Sequence, residues 1–475
     1  MQRYKQVLTK VLKKVTPSQS DERSIKELAN KALKTVAELA KAYGAEPMLV
    51  GSLTRNTWLP EKREFDIFVL FPEKIKEEEL EKIGLEIGKK SIKKLKGSYV
   101  VEYAQHPYTS GKVEGVSIDI VPCYRVTSAE KIRAAVDRTP FHVRYVEKNL
   151  SPKLANEVRL LKKFLNVNHA YGADAKTLGF SGYVCELLII KYKSFIQVLK
   201  AAKKWQPGEI IDLENYHMKE DYPKLRRKFR NQPLILIDPT DRNRNATAAL
   251  SSPNFFRFKK LACEFLKKPK TEFFEEKKFE SITERELIEF QLKRRTELIL
   301  IRFTPPEVVP DILWPQLRRF AERLQSILEE VKYEFKVLGK DVYTNEKDLA
   351  VVLLEMEVSK LPMVQKRIGP SIFDLDASKK FLQKYKKPLT GPFIENNFWC
   401  VEVVRKFVTA RQKLLDSLSK DVDVLKAKGI PNFIAKQIKK RFEIILENAK
   451  IMELVKTNED FGVFLRKYFE KYSLW

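Results

Sequence analysis

Eight residues constrain this chain more than any others. Positions 64–71 read Glu-Phe-Asp-Ile-Phe-Val-Leu-Phe, an apolar and aromatic run of strand length that predicts a β-strand inside a sheet. The two-residue period of a strand puts Glu64 and Asp66 on one face and Phe65, Ile67, Val69 and Phe71 on the other. The acidic face continues into Phe68 and Leu70, so the two carboxylates stand beside a core, where unpaired charge is costly. An isolated Glu-x-Asp is ordinarily a solvated strand edge, and the buried continuation sets this one apart. Residues 116–121, Val-Ser-Ile-Asp-Ile-Val, repeat the design around Asp119. If the two strands are neighbours, three carboxylates converge, and three acids with few bases nearby suit a hard divalent cation such as Mg²⁺. Two such ions sharing carboxylates can clamp the attacking and leaving oxygens of an in-line phosphoryl displacement.

That chemistry needs a polyphosphate site close by, and Gly51-Ser52 is the candidate, twelve residues before Glu64. A strand over 48–52 ends at Gly51, whose missing Cβ admits a phosphate, and residues 52–58 are expected to begin a helix, with a helical turn over 53–58 whose free N–H groups face an anion. Arg55 supplies a guanidinium with the geometry of a bidentate phosphate contact.

The remaining pattern is that of an α+β multidomain chain of 475 residues. Residues 3–43 read as one or two amphipathic helices, and 74–95 as another helix. Strands are expected over 99–104 and 114–124, joined by the turn-rich Thr109-Ser110-Gly111-Lys112. From 156 to 205 the period is helical, with one long helix over 184–202. A strand over 234–238 enters a polar loop at Asp241-Arg242-Asn243-Arg244-Asn245, and a helix follows over 253–266. The Lys-rich stretch 266–279 reads as a linker. Beyond it the order β-α-β-β (297–303, a helix carrying Leu317 to Val331, 333–338, 350–358) resembles half of a ferredoxin-like sheet. The domains expected are therefore a catalytic head at 1–150, a helical centre at 151–275, a ferredoxin-like body at 280–360 and a basic α/β tail at 361–475.

Charge narrows the partners. Lys and Arg exceed Asp and Glu by 27, and residues 360–475 hold 24 basic against 13 acidic side chains, which favours a polyanion such as nucleic acid. Individually, many of these cations are expected on solvated helix faces. No stretch is apolar enough for a membrane span. The four cysteines lie far apart with no Cys-x-x-Cys pair, and the four histidines show no ligand spacing. Neither a disulfide framework nor a zinc site is expected, and a reducing cytoplasm fits.

Taken in order, Gly51-Ser52 with Arg55, the Glu64-x-Asp66 strand and the Asp119 strand resemble the nucleotidyltransferase superfamily typified by DNA polymerase β. The segments Gly-Ser-Leu-Thr-Arg-Asn-Thr-Trp-Leu, Phe-Asp-Ile-Phe-Val-Leu-Phe, Ile-Asp-Ile-Val-Pro-Cys-Tyr, Val-Asp-Arg-Thr-Pro-Phe-His, Glu-Val-Arg-Leu-Leu-Lys and Gly-Phe-Ser-Gly-Tyr are similar to its archaeal branch, the class I CCA-adding enzymes. The likeness runs from about residue 20 through the Arg242 to Ser251 segment, and more weakly to Glu395-Asn396. It implies a polymerase β-like head, a helical neck, a ferredoxin-like or RNA-recognition-like body and a basic tail. It also implies addition of C, C and A to a tRNA 3′ end without a nucleic-acid template. The resemblance makes Glu64, Asp66 and Asp119 the catalytic Mg²⁺ ligands. Gly51, Ser52, Arg55, Thr139, His142, Lys162 and Tyr171 become contacts for ATP and CTP, and Arg244 helps recognise the incoming base. The third and C-terminal regions would hold the acceptor and TΨC arms of tRNA, and a homodimer is compatible with this reading. A poly(A) polymerase-like tailing enzyme would use the same acids, and a catalytically dead RNA-binding relative would be expected to have lost them.

Overall fold

In the computed structural model, the residues described are 2–103, 106–331 and 333–471. Residues 1–277 and 278–475 form two compact units.

The first unit opens with helices α1 (Gln2–Val15) and α2 (Gln19–Ala40); the Ser18 hydroxyl accepts from the Asp21 amide and caps α2. Five strands follow: β1 (Glu46–Val50), β2 (Glu64–Phe71), β3 (Ser98–Tyr103), β4 (Pro107–Val113) and β5 (Val116–Tyr124), with α3 (Glu77–Lys94) between β2 and β3. The sheet order is β1-β2-β5-β4-β3, with β2 and β5 parallel at its centre. Phe65, Ile67, Val69, Phe71, Ile118 and Ile120 face a core closed by α2 and α3. The opposite face is buried only at its far end, where Phe68, Leu70 and Cys123 pack with Val143 of α4 (Thr139–Asn149). The acid-bearing end of that face is left open.

Two expectations change here. Thr109–Lys112 is not a turn but the middle of β4, and the reversal falls at Glu114-Gly115. The reason is packing: a Cβ on Gly111 would lie 2.4 Å from Ile92 Cδ1, so glycine here admits α3 against the sheet. Ala104, expected as the last residue of β3, lies outside the described residues.

Helices α5 (Ala155–Val167), α6 (Gly182–Tyr192), α7 (Phe195–Lys204), α8 (Tyr222–Lys228) and α9 (Ser252–Lys267) make up the rest of this unit. Phe164, Phe195, Phe258 and Phe265 interlock at its centre, with ring centroids 5.4–6.3 Å apart for Phe164 against the other three. The single helix expected over 184–202 is two helices. Lys193 adopts a left-handed conformation at φ +67°, and the Ser194 hydroxyl caps α7. The polar segment expected as a loop is a strand: β6 (Glu209–Ile211), β7 (Leu234–Asp238) and β8 (Asp241–Asn245) form a three-stranded sheet with β8 at its edge, where polar side chains are tolerated. The stretch expected as a linker begins inside α9, and Phe274 is buried, so the chain leaves the unit only near residue 277. Helix α1 packs on α5, so it stands with the helical region rather than with the head.

The second unit holds α10 (Glu284–Arg294), β9 (Glu297–Phe303), α11 (Pro310–Leu328), β10 (Lys336–Thr344) and β11 (Ala350–Val358). The β-α-β-β order is as expected, but the first hairpin strand starts at Lys336 rather than 333. Its antiparallel sheet runs β10-β11-β9-β15, where β15 (Glu443–Ile445) comes from the segment expected as a separate tail. Helices Asn448–Thr457 and Glu459–Glu470 supply Ile451, Phe461 and Leu465 to the same core as Leu298 and Val351. A boundary at 360/361 therefore cuts a continuous sheet and core. Strands β12 (Val364–Ser371), β13 (Thr390–Glu395) and β14 (Phe398–Val404) form a small antiparallel sheet carrying α12 (Leu375–Lys384). No helix among the described residues is long and apolar enough to cross a membrane.

Candidate active site

Parallel pairing of β2 with β5 puts Asp66 directly opposite Asp119, and Glu64 opposite Ser117. Strand β1 runs antiparallel to β2, with Val50 opposite Asp66, so the chain leaves β1 beside the start of β2. Gly51 follows at φ +87°, and a Cβ there would lie 3.0 Å from Asp66 Oδ2. The turn at Gly51 and the two aspartates thus share one place, which the sequence spacing anticipates.

The charge on these acids is uncompensated. No ion pair joins Glu64, Asp66 or Asp119 to a basic side chain among the described residues, although the chain is strongly basic overall. Asp66 is pushed from 3.8 up to about 7, by burial first and then by the charges of Asp119 and Glu64. Burial also raises Asp119, against a hydrogen bond with Ser110. Oxygen donors, mutual repulsion and no protein cation form a donor set that fits a hard divalent ion. The three acids are not drawn tight: among the described residues, the triple whose ligand atoms all lie within 4.8 Å of one another is Glu77, Glu81 and His106. That cluster joins one turn of α3 to a histidine 25 residues on, a proximity that the histidine spacing in the sequence did not disclose.

A second group sits on the far side of the turn 51–57. Glu186 of α6 is 1% exposed, and its carboxylate accepts from Arg55 Nε at 3.2 Å, Arg55 Nη2 at 3.0 Å and Thr57 Oγ1 at 2.7 Å. The Lys162 ammonium on α5 donates to the Thr57 carbonyl at 3.1 Å and hydroxyl at 3.2 Å, and lies 3.8 Å from Glu186. Burial pulls the Lys162 pKa down while Glu186 opposes that pull. A Cβ on Gly182 would meet the Tyr171 hydroxyl at 3.1 Å and Lys162 Nζ at 3.7 Å, so Tyr171 and Lys162 converge on the start of α6. Burial raises the Tyr171 phenol, leaving it a neutral donor. No helix forms over 52–58 as expected; the segment is a turn opened by Ser52, whose carbonyl accepts from the Thr57 amide at 2.9 Å.

The third group is organised by Asp238, fully buried at the end of β7. Its carboxylate accepts from His142 Nε2 at 2.9 Å, Arg244 Nη1 at 2.7 Å, Tyr183 Oη at 3.1 Å, and the Thr240 amide and hydroxyl at 2.9 and 2.8 Å. Burial would raise this acid, yet the hydrogen bond and charge of His142, the Thr240 amide and the Arg244 guanidinium together hold it well below the usual range. Ionised Asp238 only accepts, so the His142 proton is on Nε2. The His142 ring stacks on Tyr183 with centroids 4.0 Å apart. Thr139 opens α4, one turn before His142. The first turns of α6, carrying Gly182, Tyr183 and Glu186, therefore lie against both the second and third groups.

Three family models match in succession: a nucleotidyltransferase domain over residues 29–142, the second domain of tRNA nucleotidyltransferase over 156–275, and the C-terminal domain of CCA-adding enzyme over 294–447. The CCA-adding enzyme of Methanocaldococcus jannaschii is 40% identical over 390 residues, 80% of this chain and 84% of its own. Those of Archaeoglobus fulgidus and Methanosarcina mazei are 37% and 35% identical, covering 86% and 96% of this chain and 88% and 97% of theirs. This chain belongs to the CCA-adding enzyme family. It is a nucleotidyltransferase, and its head is the polymerase β-like mixed sheet with helices.

Two residues that organise the site, Glu186 and Asp238, were not singled out from the sequence as functional. Each carried a signal: Glu186 is the one acid in the apolar run 184–190, and Asp238 ends the apolar Leu-Ile-Leu-Ile-Asp. Acids so placed require buried partners.

Proposed function

We propose that this chain completes and repairs the 3′-terminal CCA of tRNA, taking CMP from CTP and AMP from ATP and releasing pyrophosphate. The observation that carries the chemistry is the register of Asp66 against Asp119 beside Gly51, a convergence of uncompensated carboxylates on a phosphate-admitting turn.

Glu64, Asp66 and Asp119 would hold Mg²⁺, which when bound lowers the pKa of the RNA 3′-hydroxyl and braces the departing pyrophosphate. The protein's own part is positioning and electrostatics. Gly51 and Ser52 let the triphosphate approach the turn. Arg55 and Lys162 offset charge on its phosphates, and the neutral Tyr171 phenol donates a hydrogen bond there. His142, held through Nε2 by Asp238, turns its other ring nitrogen, Nδ1, to the nucleotide. Arg244 is anchored at one nitrogen by Asp238, which leaves its other donors for the base. The basic second unit holds the acceptor and TΨC arms through phosphates and 2′-hydroxyls, and its affinity falls steeply with salt. The domain roles follow: a head within 1–150 from α2 onward, a helical centre over 151–275 joined by α1, and body with tail over 280–475.

The test is product length. A tRNA transcript lacking its last three nucleotides, given CTP and ATP, should gain C, C and A and stop. A long A ladder would identify a poly(A)-type tailing enzyme, and no incorporation a binding protein.

A further inference from the structure

Helix α6 reads Gly-Tyr-Val-Cys-Glu-Leu-Leu-Ile-Ile-Lys-Tyr, and Glu186 is its single acid. Five of its immediate neighbours in sequence, Val184, Cys185, Leu187, Leu188 and Ile189, are buried and apolar. A carboxylate in that setting is costly unless every lone pair has a partner. Arg55, Thr57 and Lys162 are those partners, and all three come from the turn 51–57 and α5 rather than from α6 itself. We propose that Glu186 is a positioning residue for nucleotide addition, the buried anion that fixes Arg55 and Lys162 in the pose that receives the triphosphate.

The geometry assigns it that role in two ways. The fork of Arg55 is gripped through Nε and Nη2, and Nη1 donates to Thr54 Oγ1 at 3.1 Å. Of the five N–H donors of a guanidinium, three are thereby committed, and two remain, held in one plane and direction. Lys162 sits 4% exposed, where burial favours its neutral form, and the groups that face it are Glu186, Cys185, Arg55 and Arg159, with Tyr171 close by. Glu186 is the one carboxylate among them, so it opposes the pull of burial on Lys162 and sits between two cationic side chains that would otherwise repel. The trio carries a net single positive charge and meets a polyanion without first rearranging.

The proposal rests on reading Arg55 and Lys162 as phosphate contacts, and the experiment separates the two. Steady-state incorporation of CMP and AMP is measured for Glu186→Gln and Glu186→Asp beside Arg55→Ala and Lys162→Ala, with tRNA binding and thermal unfolding recorded for each. For Glu186→Gln the KM for CTP and for ATP should rise together, by about tenfold or more, for loss of a charge-assisted bidentate pose. That rise should grow as the pH is raised, because burial already pulls Lys162 toward its neutral form and the variant lacks the counter-charge that opposes that pull. Glu186→Asp keeps the charge, so its KM should rise by a few-fold and its pH profile should follow the native one. A purely structural ion pair would instead lower the melting temperature and kcat, leaving nucleotide KM and its pH dependence unchanged, and that result overturns the proposal. If Arg55→Ala and Lys162→Ala raise KM while both Glu186 variants match the native enzyme, the proposal alone fails. If those two variants leave KM unchanged, the phosphate reading itself fails. If Glu186→Gln does not fold, Glu186→Asp decides: an unchanged nucleotide KM overturns the proposal.

Discussion

Replacing Asp66 by Asn should make the metal-free protein more stable while removing its chemistry. Asp66 stands at about 7 instead of 3.8 because burial and the charges of Asp119 and Glu64 oppose its ionisation. Between those values the folded protein keeps a proton that the unfolded chain has released. The stabilisation from this group is whole below about pH 4 and is lost as the pH climbs through about 7. A shift of this size corresponds to about 4 kcal/mol, and because part of the Asp66 side chain reaches water, screening reduces the expected effect to about 2 kcal/mol. Asp66→Asn has the same size and no charge, so in EDTA at about pH 8 it should melt above the native protein by on the order of 5 °C in the transition of residues 1–277. Below about pH 4, where Asp66 is neutral in both the folded and the unfolded chain, the gain should shrink toward zero. Added Mg²⁺ should raise the native melting temperature and leave the variant's unchanged. A variant that melts below the native protein at about pH 8, or a gain equal at both pH values, would refute the account of three mutually repelling acids.

Gly51→Ala places a methyl 3.0 Å from Asp66 Oδ2 at φ +87°, a strain of roughly 1–2 kcal/mol; kcat/KM for CTP should fall by about tenfold or more, with tRNA affinity unchanged in a filter-binding assay. Arg244→Ala frees Asp238 of one partner and removes the guanidinium proposed to recognise the base, so sequencing of product 3′ ends should show more U and G misincorporated while addition itself continues. A net charge of +27 predicts that tRNA affinity falls by about 10³-fold or more between about 50 and 200 mM salt; a flat salt response would contradict binding through phosphates.

Much of the candidate site was legible in the sequence because it rests on local rules. Strand period alone puts Glu64 and Asp66 on one face, and the matched pattern around Asp119 anticipates the neighbouring strand observed. What escaped was set by distant packing. Thr109–Lys112 looks like a turn until Ile92 is seen filling the space over Gly111. The break between α6 and α7 depends on a left-handed Lys193 that apolar periodicity does not register. Strand β8 is polar because it lies at a sheet edge, and β15 pairs with β9 from about 140 residues away. The partners of Glu186 and Asp238 are likewise remote in sequence, so the burial of each acid was foreseeable and the identity of its partners was not. The resemblance supplied His142, Lys162, Tyr171 and Arg244, and the structure groups all four around those two acids.

The most direct test is single-turnover incorporation of CMP into tRNA by Asp119→Asn in the presence of Mg²⁺, with tRNA bound at saturation. Loss of rate by about 10³-fold or more, with tRNA affinity intact, is the predicted result. Incorporation within about tenfold of the native rate would show that the β2 and β5 carboxylates are not where the chemistry occurs.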